Sequence, residues 1–325
     1  MDLKINKIFY SLVLMVAFVF LAWFFVGRIF LADYYYQETR KTQDWPQILR
    51  YYEKVFSLNP QEPFYHQKLA NDLKWGLQFY PQPEVKIQIV DLAITQMENI
   101  KAQERSFTTR LDLAQLYLLK ASLTKTEQDF LKAEQAFQKV IQMSPQVART
   151  YIYWCQLKIE QGKWDQAEEQ CQKALSLYPS LSDARLISIH RQKIESEMSE
   201  LYEKLGEIYL AQEKYSQAEQ AFRQVLKFSF SPRPNIWKKI GDVYYSQGDL
   251  DTAIVKNLHG HILSPQDSFW CLTLALLYQE KGESEQALFW VEKGLTLDPD
   301  NKKLLFLLES LLGSDPKKRS SILPS

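Results

Sequence analysis

A recurring spacing of small and large residues constrains this chain most strongly. Five alanines recur at separations of 34, 51, 35 and 34 residues, and a large residue usually follows four positions later. The alanines are Ala133, Ala167, Ala218, Ala253 and Ala287. Spacings of three, four and seven around these alanines put the marked residues on one face of a helix. The sequence therefore predicts helical hairpins that recur at a fixed period.

A second pattern precedes the alanines and completes each predicted hairpin. It reads large, Leu or Ile, small and Tyr, as in Tyr202/Leu205/Gly206/Tyr209, Trp237/Ile240/Gly241/Tyr244 and Cys271/Leu274/Ala275/Tyr278. The small residues let the two helices approach closely, while glycine turns and closing prolines end the helices. One hairpin cannot bury its apolar face alone, so neighbouring hairpins must stack. We therefore expect an all-α solenoid.

Over residues 108–299 this pattern resembles the tetratricopeptide repeat (TPR) family, which has a 34-residue period. The departures are Cys155 for the small residue, Lys158 for the tyrosine, Asn257 for a large apolar residue, about seven extra residues around 123–129, and a prolonged first helix over 183–212. The resemblance implies a domain plan: degenerate TPR-like hairpins over 29–105, a five-unit TPR array with a capping helix over 106–312, and a disordered tail over 313–325. Residues 1–28 form a separate N-terminal segment.

The N-terminal segment contains the longest apolar stretch. Residues 8–26, IFYSLVLMVAFVFLAWFFV, carry no charge. A helix of this length spans roughly the ~30 Å hydrocarbon core of a bilayer. No small-residue cleavage site follows, so we predict a single transmembrane helix rather than a signal peptide. Lys4 and Lys7 favour a cytoplasmic N-terminus, which makes the array extracytoplasmic in a single-pass membrane protein.

The sequence offers no motif that supports catalysis. It lacks a Gly-rich phosphate loop, a G-x-S-x-G elbow and an H-E-x-x-H pair, and its histidines have no metal-ligand spacing. The 39 basic and 39 acidic residues balance, so no overall field favours nucleic acid. We therefore expect no enzyme, no cofactor, no metal and no nucleic-acid partner.

Cys155 and Cys171 are predicted to face one another across the second hairpin. A disulfide between them is conceivable if the array lies in an oxidising compartment. Both occupy repeat-core positions, which favours two small buried thiols.

The TPR resemblance implies a concave groove, lined by the first helices of successive units, that holds extended or helical segments of a partner. The corresponding positions are Arg149, Ile152, Gln156, Glu200, Glu203, Glu207, Asn235, Lys238, Asp242, Tyr245, Phe269, Leu272 and Leu276. Their mixture predicts an acidic centre beside an apolar C-terminal end.

The anchor and the array together predict a membrane-tethered, non-catalytic adaptor that binds a protein or peptide partner in its groove. Residues 30–71 also resemble the region after the last membrane span of bacterial O-antigen ligase-like proteins, which implies an accessory role beside a protein of envelope glycan assembly. A structural spacer or self-association module is a third hypothesis.

Overall fold

The computed structural model describes residues 13–21, 23–179, 188–228 and 231–312. Helices and their connections account for this part of the chain, in which no strand is present. Two compact units meet at the bond between Gln146 and Val147. The predicted domain limits of 29–105 and 106–312 come from the repeat pattern, whereas the two units are defined by the contacts within each of them. These domain limits stay predictions.

The first unit consists of helical hairpins. A π-helical segment, Trp23–Gly27, leads into α1, and the following helices are α1 (Arg28–Thr39), α2 (Trp45–Leu58), α3 (Pro63–Gly76), α4 (Pro83–Asn99), α5 (Phe107–Thr124) and α6 (Glu127–Met143). Helix α1 packs on α2 and α3 packs on α4, while α5 packs on both α4 and α6. Proline stands in the first turn of α2, α3 and α4, where its missing N–H costs nothing.

The second unit continues the hairpins. Its helices are α7 (Ala148–Glu160), α8 (Trp164–Ser176), α9 (Ser188–Ala211), α10 (Tyr215–Phe228), α11 (Pro234–Ser246), α12 (Leu250–Leu263), α13 (Ser268–Glu280), α14 (Ser284–Leu297) and α15 (Lys302–Leu312). They pair as α7–α8, α9–α10, α11–α12 and α13–α14. Helix α15 packs on α14 as the predicted capping helix. The predicted long helix at α9 is confirmed from Ser188 onward, and residues 183–187 lie outside the described residues.

The hairpins close through a small residue in the first helix and a larger one sixteen positions later. A Cβ added to Gly206 would stand 2.4 Å from the Phe222 ring, and one added to Gly241 would stand 2.4 Å from the Asn257 amide nitrogen. These contacts confirm the predicted close approach of the two helices. Because the space above each glycine is filled, the glycine is required by packing rather than by its backbone angles.

The α7–α8 hairpin departs from this arrangement. Cys155 and Cys171 are both fully buried, and their sulfur atoms are 2.08 Å apart in a disulfide. The favoured interpretation of two free thiols is therefore wrong. Both interpretations place the cysteines in the repeat core, so burial alone did not distinguish them.

The first TPR unit contains no inserted loop, and the predicted extra residues around 123–129 are therefore wrong. Helix α5 ends at Thr124 and α6 begins at Glu127. Ala121 and Phe137, which are fully buried, have the same separation as Gly206 and Phe222. The unit instead has a longer first helix, because α5 begins earlier relative to its small residue than α11 does.

A residue in the left-handed conformation follows the first helix of each hairpin of the second unit. Gly162, Gly248 and Gly282 have φ values of +69°, +78° and +84°, as the glycine turns predicted. In the α9–α10 hairpin the corresponding residue is Glu213, with φ of +58°. Glycine takes this conformation without a Cβ clash, so Glu213 holds a strained position.

The predicted transmembrane stretch is only partly within the described residues, because residues 8–12 and Ala22 lie outside them. Within the described part of the chain, no helix has both the length and the apolar character needed to cross a membrane. The predicted tail over 313–325 also lies outside the described residues.

Candidate partner-binding groove

An open cavity of about 710 Å³ lies between α11, α13 and α15 in the second unit. Six of the predicted groove residues line it, namely Lys238, Asp242, Tyr245, Phe269, Leu272 and Leu276. Their spacing explains why they meet, because residues three, four and seven apart share one face of a helix. The opposite faces of α11 and α13 carry Ile240 and Leu274, which are fully buried in the hairpin cores.

The apolar wall of the groove, formed by α13 and α15, presents large side chains to solvent. Phe269 is 41% exposed, Leu276 is 47% exposed and Phe306 of α15 is 74% exposed. Tyr245, on α11, is 44% exposed. Single exposed apolar residues are common on protein surfaces, but several that line one concavity mark a surface suited to interaction.

Several polar groups of the groove are already paired within the protein. The Lys238 ammonium group donates hydrogen bonds of 2.8 and 2.6 Å to the two carboxylate oxygens of Asp242. The Tyr245 hydroxyl donates to Glu280 at 3.2 Å, and this hydrogen bond raises the pKa of Tyr245. Asn257 is buried at the cavity and donates to the carbonyl of Ala253 at 2.9 Å. The groove therefore offers an apolar surface bordered by paired polar groups and by the exposed ammonium groups of Lys302 and Lys303.

Cations neutralise the carboxylates of the predicted acidic centre. Lys239 of α11 reaches back to α9, where it donates to Glu203 at 2.8 Å and also to Glu207. Arg233 pairs with Glu203 at 3.3 Å. Burial alone would lower the pKa of Lys239, but the two carboxylates raise it overall. Cations from the following hairpin thus offset the carboxylates that the sequence pattern placed there.

The remaining predicted residues lie outside the cavity. Arg149 pairs with Glu197 at 2.8 Å, and Glu200 pairs with Lys204 at 3.6 Å. Gln156 accepts a hydrogen bond from Lys204 and donates one of 2.9 Å to Glu160. Ile152 is only 3% exposed, so its side chain offers almost no surface to a partner, whereas Asn235 is exposed at the start of α11.

Sequence reasoning missed the wall formed by α15. The additional lining residues include Asn257, Thr273, Lys302, Lys303, Phe306 and Ser310. The signal for Phe306 was present, because Leu304, Leu307 and Leu308 are buried at spacings of three and four while Phe306 falls out of phase. A large aromatic residue on the outer face of a capping helix therefore indicated a second role for that helix.

Three segments of the chain match models of one repeat family. Residues 203–257 match one model described as tetratricopeptide repeat, and residues 114–147 and 271–301 match a second model with the same description. No curated protein matches the sequence.

Two of the solved structures with similar folds cover most of this chain. A tetratricopeptide repeat protein from Parabacteroides merdae ATCC 43184 has a TM-score of 0.54 and 13% identity, covering 87% of this chain and 98% of that one. BtubC from P. vanneervenii has a TM-score of 0.52 and 17% identity, covering 73% and 95%. Identities this low establish the fold alone. The chain thus carries tetratricopeptide repeats within an all-α solenoid fold.

Proposed function

We propose that this protein is a membrane-tethered scaffold that holds a peptide segment of a partner protein in the groove of α11, α13 and α15. TPR domains are suited to protein–protein interaction because stacked hairpins create a long concave surface. The observation that carries the proposal is the convergence of Phe269, Leu276 and Phe306 on one cavity of about 710 Å³. Large apolar side chains of a peptide would pack against these three residues, as such side chains do at interaction hot spots.

A peptide-display selection on the full chain tests the groove directly. Peptides enriched on the wild-type protein are then measured against Leu276→Asp and Phe306→Asp. Each substitution puts a carboxylate on the apolar wall, so we expect affinity to fall tenfold or more for peptides that bind there.

Phe289→Asp is the matched control, because Phe289 is 53% exposed on α14 and does not line the cavity. It should leave the affinity of the same peptides unchanged. Equal losses for all three variants, or no loss for either groove variant, would contradict the groove as the binding site.

The membrane tether is the second part of the proposal. Its support is the uncharged stretch of residues 8–26, part of which the structure describes as helix with Leu14 69% and Phe18 72% exposed. We further propose that the repeats lie outside the cytoplasm, because a disulfide such as Cys155–Cys171 persists in oxidising compartments. The envelope-glycan and self-association hypotheses stay predictions from the sequence.

A topology reporter fused after Ser325 tests this location. An alkaline phosphatase fusion should be active and a green fluorescent protein fusion dark if the repeats are extracytoplasmic. The reverse pattern would remove the extracytoplasmic part of the proposal while leaving the peptide groove to be judged by its own variants.

A further inference from the structure

A second cavity, in the first unit, has four cationic side chains among its ten lining residues. It measures about 360 Å³ and lies between the C-terminal end of α4 and the helices α5 and α6. Its cations are Arg105, Arg110, Lys132 and Lys139. The one carboxylate that lines it, Glu98, accepts a hydrogen bond from the Tyr117 hydroxyl. The cavity wall therefore carries an excess of positive charge in a protein whose total charge is balanced.

Backbone carbonyls fix the two guanidinium groups. Arg105 donates to the carbonyls of Ile100 at 2.8 Å and Glu98 at 2.7 Å, at the end of α4. Arg110 donates to the carbonyls of Arg105 at 3.2 Å and Ala102 at 2.6 Å. Each guanidinium has five N–H donors, so donors remain after these bonds. Held in place in this way, the planar groups lose little side-chain entropy when an anion binds.

The two lysines lie on the opposite wall. Lys132 and Lys139 are two turns apart on α6, and the small side chain of Ala136 lies between them on the same face. Both lysines are exposed, and in the part of the chain that the structure describes neither forms an ion pair within 4.0 Å. Their ammonium groups are thus available to a ligand, unlike that of Lys238 in the groove, which is paired with Asp242.

We propose that this cavity binds a phosphomonoester that carries an apolar group. Arginine and lysine together bind the phosphate oxygens, the first by paired N–H donors and the second as point charges. Tyr117 and the largely buried Leu113 line the cavity beside the cations, and the Tyr117 ring supplies an apolar surface for the remainder of the ligand. The volume is within the range of small-molecule sites. The site is separate from the groove and does not depend on its function.

Such a phosphate comes from a soluble metabolite or from a lipid headgroup, and two probes distinguish these sources. The full chain, in a neutral maltoside detergent, is titrated with phenyl phosphate by calorimetry, with phenylacetate as the carboxylate comparison. The same chain is also reconstituted with phosphatidylcholine vesicles that contain or lack phosphatidic acid, and protection of the chain against thermal unfolding is compared.

Lys132→Gln/Lys139→Gln is the test variant, because both side chains are exposed and the arginines that tie the turns stay intact. We expect it to weaken phenyl phosphate binding tenfold or more, or to abolish the protection by phosphatidic acid if the ligand is a lipid. Lys173→Gln/Lys193→Gln, which removes two exposed lysines of the second unit, should leave binding unchanged.

Three results would overturn the proposal. The first is the absence of binding to both phenyl phosphate and phosphatidic acid. The second is an equal loss in the test and control variants, which would indicate nonspecific attraction by surface charge. The third is tighter binding of phenylacetate than of phenyl phosphate, which would exclude the phosphomonoester class.

Discussion

Cys155 and Cys171 stand sixteen residues apart, as Gly206 and Phe222 do, and their disulfide occupies the place of that small–large contact. The fifth unit fills the same place with Ala275 and Val291, both fully buried. One structural position is therefore filled in four ways: by a ring over a glycine, by an amide over a glycine, by two aliphatic groups and by a covalent bond. The α7–α8 hairpin is the one in which packing is replaced by a cross-link.

Removing this cross-link should destabilise the second unit. For a loop of sixteen residues, the entropy of the unfolded chain gives a loss of about 3 kcal/mol in the free energy of unfolding. Urea unfolding of Cys155→Ala/Cys171→Ala, followed by tryptophan fluorescence, measures it. Dithiothreitol should lower the wild-type midpoint and leave that of the double variant unchanged.

Cys271→Ala is the control for this prediction, because Cys271 is also buried but is a free thiol. Its midpoint should shift with dithiothreitol as the wild-type midpoint does. A wild-type midpoint that does not respond to reductant would show that the two cysteines are not joined.

Gly206→Ala should be destabilising because its new Cβ would stand 2.4 Å from the Phe222 ring. Overpacking of a core contact costs about 1–3 kcal/mol. Gly206→Ala/Phe222→Val reproduces the Ala275/Val291 pair and should be more stable than the sum of the two single effects predicts. A double-mutant cycle by urea unfolding gives the coupling energy, for which about 1 kcal/mol or more is expected. Additive effects would mean that the two positions do not pack together.

Glu213, in the turn between α9 and α10, should tolerate substitution by glycine better than a residue inside a helix does. At φ of +58° its Cβ is strained, and glycine removes about 1–2 kcal/mol of that strain while adding freedom to the unfolded chain. We expect Glu213→Gly to change the free energy of unfolding by about 0 to +1 kcal/mol. Gly248→Ala, at φ of +78° with no atom within 4 Å of the new Cβ, should instead destabilise by about 1 kcal/mol. The opposite order of the two unfolding midpoints would exclude backbone strain as the cause.

His261 should make the second unit less stable in mild acid. Burial, and then the charge of Lys293, lower the pKa of His261 from 6.5, and the Lys293 ammonium group lies 2.9 Å from its Nε2 atom. Below pH 6.5 the unfolded chain binds a proton that the folded chain does not, so stability falls as the pH falls through this range. Urea midpoints between pH 7.5 and 5 should decline less steeply for His261→Gln. Equal slopes would show that other groups cause the decline.

The helical hairpins were predictable because their packing rests on local spacing. Leu205, Gly206 and Ala218 specify a hairpin from within a single stretch of sequence, and α9–α10 forms there. The prediction of extra residues around 123–129 was wrong because the extra length of that unit lies in its first helix. The prediction had placed that length in the connection after this helix. The pattern marks which residues face the core, but it does not mark where a helix begins.

The groove was predictable only in part, since its charges and its third wall come from neighbouring elements. The pattern placed Glu203 and Glu207 on an inner face, but the cation that neutralises them, Lys239, belongs to the next hairpin. From its repeat position, Ile152 was predicted to line the groove. The structure shows it buried, because neighbouring residues cover it and the repeat position does not specify them. Electrostatic pairing and burial are properties of the assembled array.

The pairing of Lys239 with Glu203 and Glu207 has a kinetic consequence. A surface whose cations and carboxylates already neutralise one another leaves little field to attract a ligand from a distance. A ligand then meets this face of α9 and α11 by ordinary diffusion, at about 10⁵–10⁶ M⁻¹s⁻¹, and added salt changes the association rate little. At the apolar wall, by contrast, Lys302 and Lys303 are exposed and have no ion pair in the described part of the chain, so salt should slow the association of acidic partners there.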